Sequence, residues 1–180
     1  FSDAGLGSGT QSYTGGVAKL AGGTWNTNCL RQHLAAPEST AAEIVGGGTN
    51  LNTVIFGNMF LQEHRIRQGK PTPFYVDSQS LMFVAKGEKS AKRSVWLIRR
   101  VKVLLEAVEH NEIRPIHVSE KDMMADIFTK YLKHNVWFRH VMNLHNVPES
   151  RSAAALAFLE KEQKTLTVML KQAASAHDVP

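Results

Sequence analysis

Three turn-punctuated, strand-like runs come before the first helical signal, and after it single strands alternate with helical stretches. This order constrains the fold more than any other feature. Phe1 to Asp3 reads as the end of a strand stopping at Ala4-Gly5. Thr10 to Leu20 and Thr24 to Cys29 read as two more strands, with Gly22-Gly23 as the turn between them, and the three form an antiparallel meander. Pro37 opens a helix, with Thr40 and Glu43 at capping-box spacing, that continues through Ile44, Val54 and Leu61. Gly46-Gly47-Gly48 within it costs roughly 1 kcal/mol per glycine relative to alanine. Two readings stand: close packing on a sheet, or a break in the helix.

Further on, Pro73-Phe74-Tyr75-Val76 is a short strand and Ser78 to Lys86 a short helix. Val95, Ile98, Val101, Leu104, Leu105 and Val108 recur at helical spacing, predicting a long amphipathic helix over 91–111. Ile113 to Val118 is a strand. Ser119 suits the N-cap of a helix carrying Met123, Ile127, Phe128 and Tyr131, with more helix to about Leu144. Strands and helices mixed in this order predict an α/β or α+β sheet with helices on its faces. Residues 149–176 are Ala-rich, with Leu156, Leu159, Leu166, Leu170 and Ala173 forming one apolar stripe that must be buried somewhere.

At 180 residues the chain suits one domain with an appendage, and its 43% hydrophobic content is that of a folded core. Its apolar stretches fall short of the ~18 residues a membrane span needs. No secretory signal is visible at the start. The chain begins at Phe1 rather than Met, so a trimmed, processed or incomplete chain with a shortened first strand is expected, any targeting segment lying outside it. Cys29 is the one cysteine, which excludes an internal disulfide and a cysteine metal cluster and fits an intracellular reducing compartment or organelle, or any compartment where disulfides are unused. The net charge of +5 favours an anionic partner, nucleic acid above all. The eight histidines show no zinc-binding spacing, and no glycine run is followed by the Lys and Ser/Thr of a phosphate loop.

Four short phrases carry acidic residues: Phe1-Ser2-Asp3-Ala4, Ser39-Thr40-Ala41-Ala42-Glu43, Tyr75-Val76-Asp77-Ser78-Gln79-Ser80 and Ala125-Asp126-Ile127-Phe128-Thr129-Lys130. Together with Ser12-Tyr13-Thr14-Gly15-Gly16 and Arg31-Gln32, they resemble, in order, the motifs of the ribonuclease H domain of Copia-type retrotransposon polyproteins over roughly residues 1–132. The Ala-Asp-Ile-Phe-Thr-Lys word looks unaltered. The family's opening Ser-Asp-Ala-Asp-Trp reads here Ser2-Asp3-Ala4-Gly5-Leu6, so its second acid is absent. Its Thr-Lys-His-Ile-Asp-Ile segment corresponds by spacing to Ser94-Val95-Trp96-Leu97-Ile98-Arg99, without the His and Asp.

The resemblance implies a ribonuclease H-like mixed five-stranded sheet flanked by helices in residues 1–145, with a C-terminal helical extension in 146–180. It implies that Asp3, Glu43, Asp77 and Asp126 are catalytic and hold two Mg2+ ions. Magnesium is a hard ion that prefers carboxylate oxygen, and such a pair of ions supports phosphodiester cleavage. Each acid also has an innocent reading. Asp3 is then a turn residue, Glu43 the partner of Thr40 in the capping box, Asp77 a helix cap and Asp126 an exposed helix residue.

Lys86, Lys89, Lys92, Arg93, Arg99, Arg100 and Lys102, against the single acid Glu88, form a basic run. It suits a phosphate backbone, or is a solvated helix face. Trp96 within it is either a base-stacking residue or packing. Two functions follow. One is a magnesium-dependent ribonuclease acting on RNA–DNA hybrids. The other is an inactive, domesticated subunit of a larger ribonucleoprotein assembly, with a protein partner on the 149–176 helix.

Overall fold

The computed structural model describes residues 1–6, 11–33, 39–66, 68–87 and 95–148, and positions 157, 160, 161, 164, 165 and 167, with the side chains of 6, 95 and 96 excepted. The chain forms two compact units, Phe1–Leu132 and Lys133–Pro180. The first unit contains five strands: β1 (Ser2–Leu6), β2 (Ser12–Leu20), β3 (Gly23–Arg31), β4 (Thr72–Val76) and β5 (Ile113–His117). They make one mixed sheet in the order β3-β2-β1-β4-β5. Its helices are α1 (Ser39–Glu63), α2 (Gln79–Ala85) and α3 (Val95–Glu109). This is an α/β fold, and its sheet is consistent with a ribonuclease H-like architecture.

The meander lies where the turn residues place it. Ala21 and Gly22 both have positive φ and form the β2–β3 turn, so Gly23 begins β3 rather than belonging to the turn. β1 does not stop at Ala4-Gly5. It continues to Leu6, because β2 offers it a full antiparallel ladder from Ser2↔Gly16 to Leu6↔Ser12. On its other edge β1 runs parallel to β4 through Ser2↔Val76. That register brings the next residues along, Asp3 and Asp77, out side by side.

The glycine run in α1 does not break the helix. A Cβ at Gly46 would lie 3.3 Å from Ala4 Cβ and 3.4 Å from the Asp3 carbonyl, and one at Gly47 would lie 3.2 Å from a Leu81 methyl. The helix is therefore gripped on two sides, by β1 and by α2. Its residues Ala41 to Gly47 are buried in unbroken succession. Close packing is the reading that holds. On the α2–α3 side Ile44, Leu51, Val76, Leu81, Leu104 and Ile113 form the centre of the core. Each such aliphatic side chain contributes about 1.5–3 kcal/mol by burial.

After β5 the structure departs from the expected helix. Two 3₁₀ turns, Glu120–Asp122 and Met124–Phe128, replace it, with an extended Met123 between them. Met123, Met124, Ala125 and Asp126 are all buried. The backbone bonds here run three residues back, Asp126 N–H to the Met123 carbonyl at 3.2 Å and Thr129 N–H to the Asp126 carbonyl at 3.1 Å, and these tight turns seat the segment against Gly15 and Gly5 of the sheet. Ser119 holds the N-cap position without capping a backbone N–H; its hydroxyl donates to Asp122 Oδ2 at 2.6 Å.

In the second unit, α4 (His134–Leu144) buries Phe138 and His140. The six described positions between 157 and 167 are helical and exposed. The expected apolar stripe of the 149–176 helix lies outside the described residues. So do Pro37, Glu88, Lys89, Lys92 and Arg93.

The second 3₁₀ turn lies on the sheet because glycines leave room for it. A Cβ at Gly15 would come within 2.7 Å of the Ala125 carbonyl oxygen. Gly15→Ala is expected to lower unfolding free energy by about 1–3 kcal/mol, read from urea denaturation. An unchanged midpoint would mean that this turn is not packed on β2.

Candidate metal centre

The four acids predicted from sequence come from four different segments. Asp3 lies in β1, Glu43 in the second turn of α1, Asp77 directly after β4, and Asp126 in the second 3₁₀ turn. Asp3, Asp77 and Asp126 each place a carboxylate oxygen within 4.8 Å of the other two. Glu43 is not in that group of three, yet it is close enough that both Asp3 and Asp77 repel its charge.

The innocent readings do not describe these positions. Asp3 is fully buried within a strand, not in a turn. Ser78, not Asp77, caps α2, its Oγ accepting from the Leu81 N–H at 3.2 Å. Asp126 is fully buried. Glu43 is buried and accepts from the backbone N–H of Ala4 in β1.

Electrostatics follow from this crowding. Burial raises the Glu43 carboxyl from 4.5 to about 9, with Asp3 and Asp77 adding to the rise and Lys130 opposing it. Burial likewise raises Asp126 to about 7, against the hydrogen bond it accepts from Lys130. Oxygen atoms of three acids, Asp3 Oδ1, Glu43 Oε2 and Asp126 Oδ2, are buried without a hydrogen-bond partner. Buried polar atoms are normally satisfied, so the unsatisfied oxygens of Asp3 and Asp126 favour cations beside them, whereas the Glu43 carboxyl, protonated at neutral pH, needs none. An oxygen-only donor set of this kind fits a hard divalent cation such as Mg2+.

Lys130 gained no role from the sequence, although it stands in the Asp126-to-Lys130 word. The Lys130 ammonium lies 3.0 Å from Asp126 Oδ1, 3.4 Å from Asp77 Oδ2 and 3.5 Å from Asp3 Oδ1. Burial works to lower its pKa, but Asp3, Asp126 and Asp77 outweigh that and hold it above its ordinary value. The detectable signal was the i,i+4 spacing from Asp126, which turns a lysine back toward the acid. Thr129 supports the same cluster by donating its hydroxyl to Asp3 Oδ2. His117, at the end of β5, contacts the Asp77 carbonyl through Nε2 at 3.1 Å.

The two departures from the family words have local reasons or consequences. A Cβ at Gly5 would lie 2.5 Å from the Thr129 carbonyl oxygen, so an aspartate there would collide with the segment that carries Lys130. Of the two positions that match the family's His and Asp, Ile98 is exposed and apolar, and the side chain of Trp96 lies outside the described residues. Of the basic run, Lys86, Arg99 and Lys102 are exposed and Arg100 half-buried; Lys102 pairs with Glu106 at 3.6 Å.

A cavity of about 490 Å³ lies elsewhere in this unit, lined by Trp25, Phe56, Phe60 and Tyr75 among others, and takes nothing from these acids. Its size does not make it the chemical centre, because its walls are mainly apolar.

No family model matches the chain, and no solved structure matches it.

Glu43 gives the centre a pH signature. Its folded-state pKa is raised, so between 4.5 and about 9 the folded chain keeps a proton that the unfolded chain has lost. Stability from this group is present below the lower value and is lost as pH rises through the window. Glu43→Gln is expected to flatten that decline and to raise the urea midpoint at about pH 8 in metal-free buffer. Parallel pH profiles for the two proteins would show that Glu43 is ionised at neutral pH.

Proposed function

We propose that this chain is a metal-dependent nuclease domain of the ribonuclease H type, derived from a Copia-type retroelement, that cleaves the RNA strand of RNA–DNA hybrids. The observation that carries the reading is the convergence of Asp3, Asp77 and Asp126 within 4.8 Å, with buried oxygens lacking hydrogen bonds. Asp3, Asp77 and Asp126, with Glu43 beside them, would hold the metal. Bound divalent ions supply an activated water and a stabilised leaving oxygen in phosphodiester hydrolysis.

The protein's own contribution is placement. Asp3 and Asp126 are fixed by burial, while Asp77, whose side chain is 17% exposed, opens the cluster to solvent. Glu43 holds a proton at neutral pH and becomes a ligand only as it gives that proton up. Lys86, Arg99 and Lys102 are the exposed cations of the described basic run, suited to a phosphate backbone in a sequence-independent, salt-sensitive way. An RNA–DNA hybrid is read by shape and by 2′-hydroxyls, which needs no base-specific contacts.

A second reading, an inactive nucleic-acid-binding or structural subunit of a ribonucleoprotein assembly, is favoured by one observation. Lys130 already neutralises part of the cluster without any metal. No described helix is long and apolar enough to cross a membrane.

A labelled RNA–DNA hybrid with and without Mg2+ decides between them. The nuclease reading expects magnesium-dependent cleavage of the RNA strand, reduced at least about 100-fold by Asp77→Asn. Folded protein that binds the hybrid without cutting it would establish the second reading instead.

A further inference from the structure

We propose that Lys130 is an intramolecular stand-in for a metal ion: its ammonium holds the Asp3–Asp77–Asp126 cluster together until a divalent cation displaces it. The inference rests on the metal-centre reading above and adds a competitor built into the chain.

A structural ion pair usually joins one cation to one acid. Here one ammonium serves three carboxylates from β1, the end of β4 and the second 3₁₀ turn. Only the Asp126 contact, at 3.0 Å, has ordinary hydrogen-bond length; those to Asp77 and Asp3, at 3.4 and 3.5 Å, are long. The position is thus that of a central cation, loosely held. It also leaves the cluster incompletely satisfied, since Asp3 Oδ1 and Asp126 Oδ2 still lack hydrogen bonds. One positive charge among three aspartates leaves negative charge over, and a divalent ion supplies more of what is missing.

Mobility is distributed accordingly. The Asp3 and Asp126 side chains are 0% and 1% exposed and have nowhere to go, whereas that of Lys130 is 32% exposed. A lysine carries its charge on a flexible four-carbon stem. Its ammonium can leave for solvent while the backbone stays anchored by the Lys130 N–H bond to the Asp126 carbonyl, 2.9 Å. Like charges in one small site exclude each other, so the ammonium and a metal compete for the same oxygens.

The test uses the full chain and Mn2+ alone as the probe. Calorimetric titration of wild type, Lys130→Met and Lys130→Arg is combined with thermal unfolding in chelator. Lys130→Met is expected to melt lower without metal yet to bind Mn2+ about tenfold more tightly or better, while Lys130→Arg binds no more tightly than wild type. A merely structural lysine would lower the melting temperature without tightening metal binding. If wild type binds Mn2+ and folded Lys130→Met binds it equally or more weakly, the stand-in role is overturned and the metal centre survives. If no folded variant binds Mn2+, the metal-centre reading falls, and this inference with it.

Should Lys130→Met not fold, wild type answers the same question through acetylation of Lys130 by an activated ester, followed by mass spectrometry. Faster labelling on addition of Mn2+ supports displacement. An unchanged or slower rate overturns it.

Discussion

Negative charge brought together out of water is the constraint around which this structure is arranged. Asp3 and Asp126 are fully buried, Glu43 nearly so, and Asp77 stands at the opening. Left alone, such a group would force the chain apart or take up protons. The chain uses both available remedies. Glu43 keeps its proton at neutral pH, and the Lys130 ammonium sits among the three aspartates. Much of the surrounding packing exists to make this closeness possible. Glycines in α1 bring it onto β1, and Gly5 and Gly15 let the second 3₁₀ turn rest on the sheet.

The sheet was legible because its signals are local. Strand-like runs, a glycine turn read at 22–23 and found one residue earlier, and apolar helical spacing in α3 are each properties of a few neighbouring residues. The element order then leaves few ways to join them. The segment after Ser119 was misread for the opposite reason. Met123, Ile127, Phe128 and Tyr131 do fall at helical spacing, but Met124, Ala125 and Asp126 are buried too, and the depth of a polar residue is not written in its neighbours. Likewise β1 continues past Ala4-Gly5 only because β2 lies beside it, which is a long-range fact.

The site was half legible. Its acids stood out through the words around them, and the structure brings three of the four into one cluster. Lys130 was in plain view within the same word but received no role, since spacing alone does not tell a lysine pointing at solvent from one pointing at two further aspartates distant in sequence. Position 5 shows another limit. Its missing acid reads in sequence as a loss, while in space the Thr129 carbonyl occupies the volume that a side chain there would need.

The pairing of Ser2 with Val76 has a geometric consequence for how such a centre can fail. Side chains alternate across a strand, so slipping β1 by one residue would turn Asp3 to the opposite face and carry its carboxylate away from Asp77 and Asp126. The centre is therefore encoded twice, once in the identity of its acids and once in a hydrogen-bond ladder containing none of their side chains. A change that never touches a carboxylate, such as one that loosens the β1–β2 ladder, dismantles the centre as thoroughly as deleting an acid.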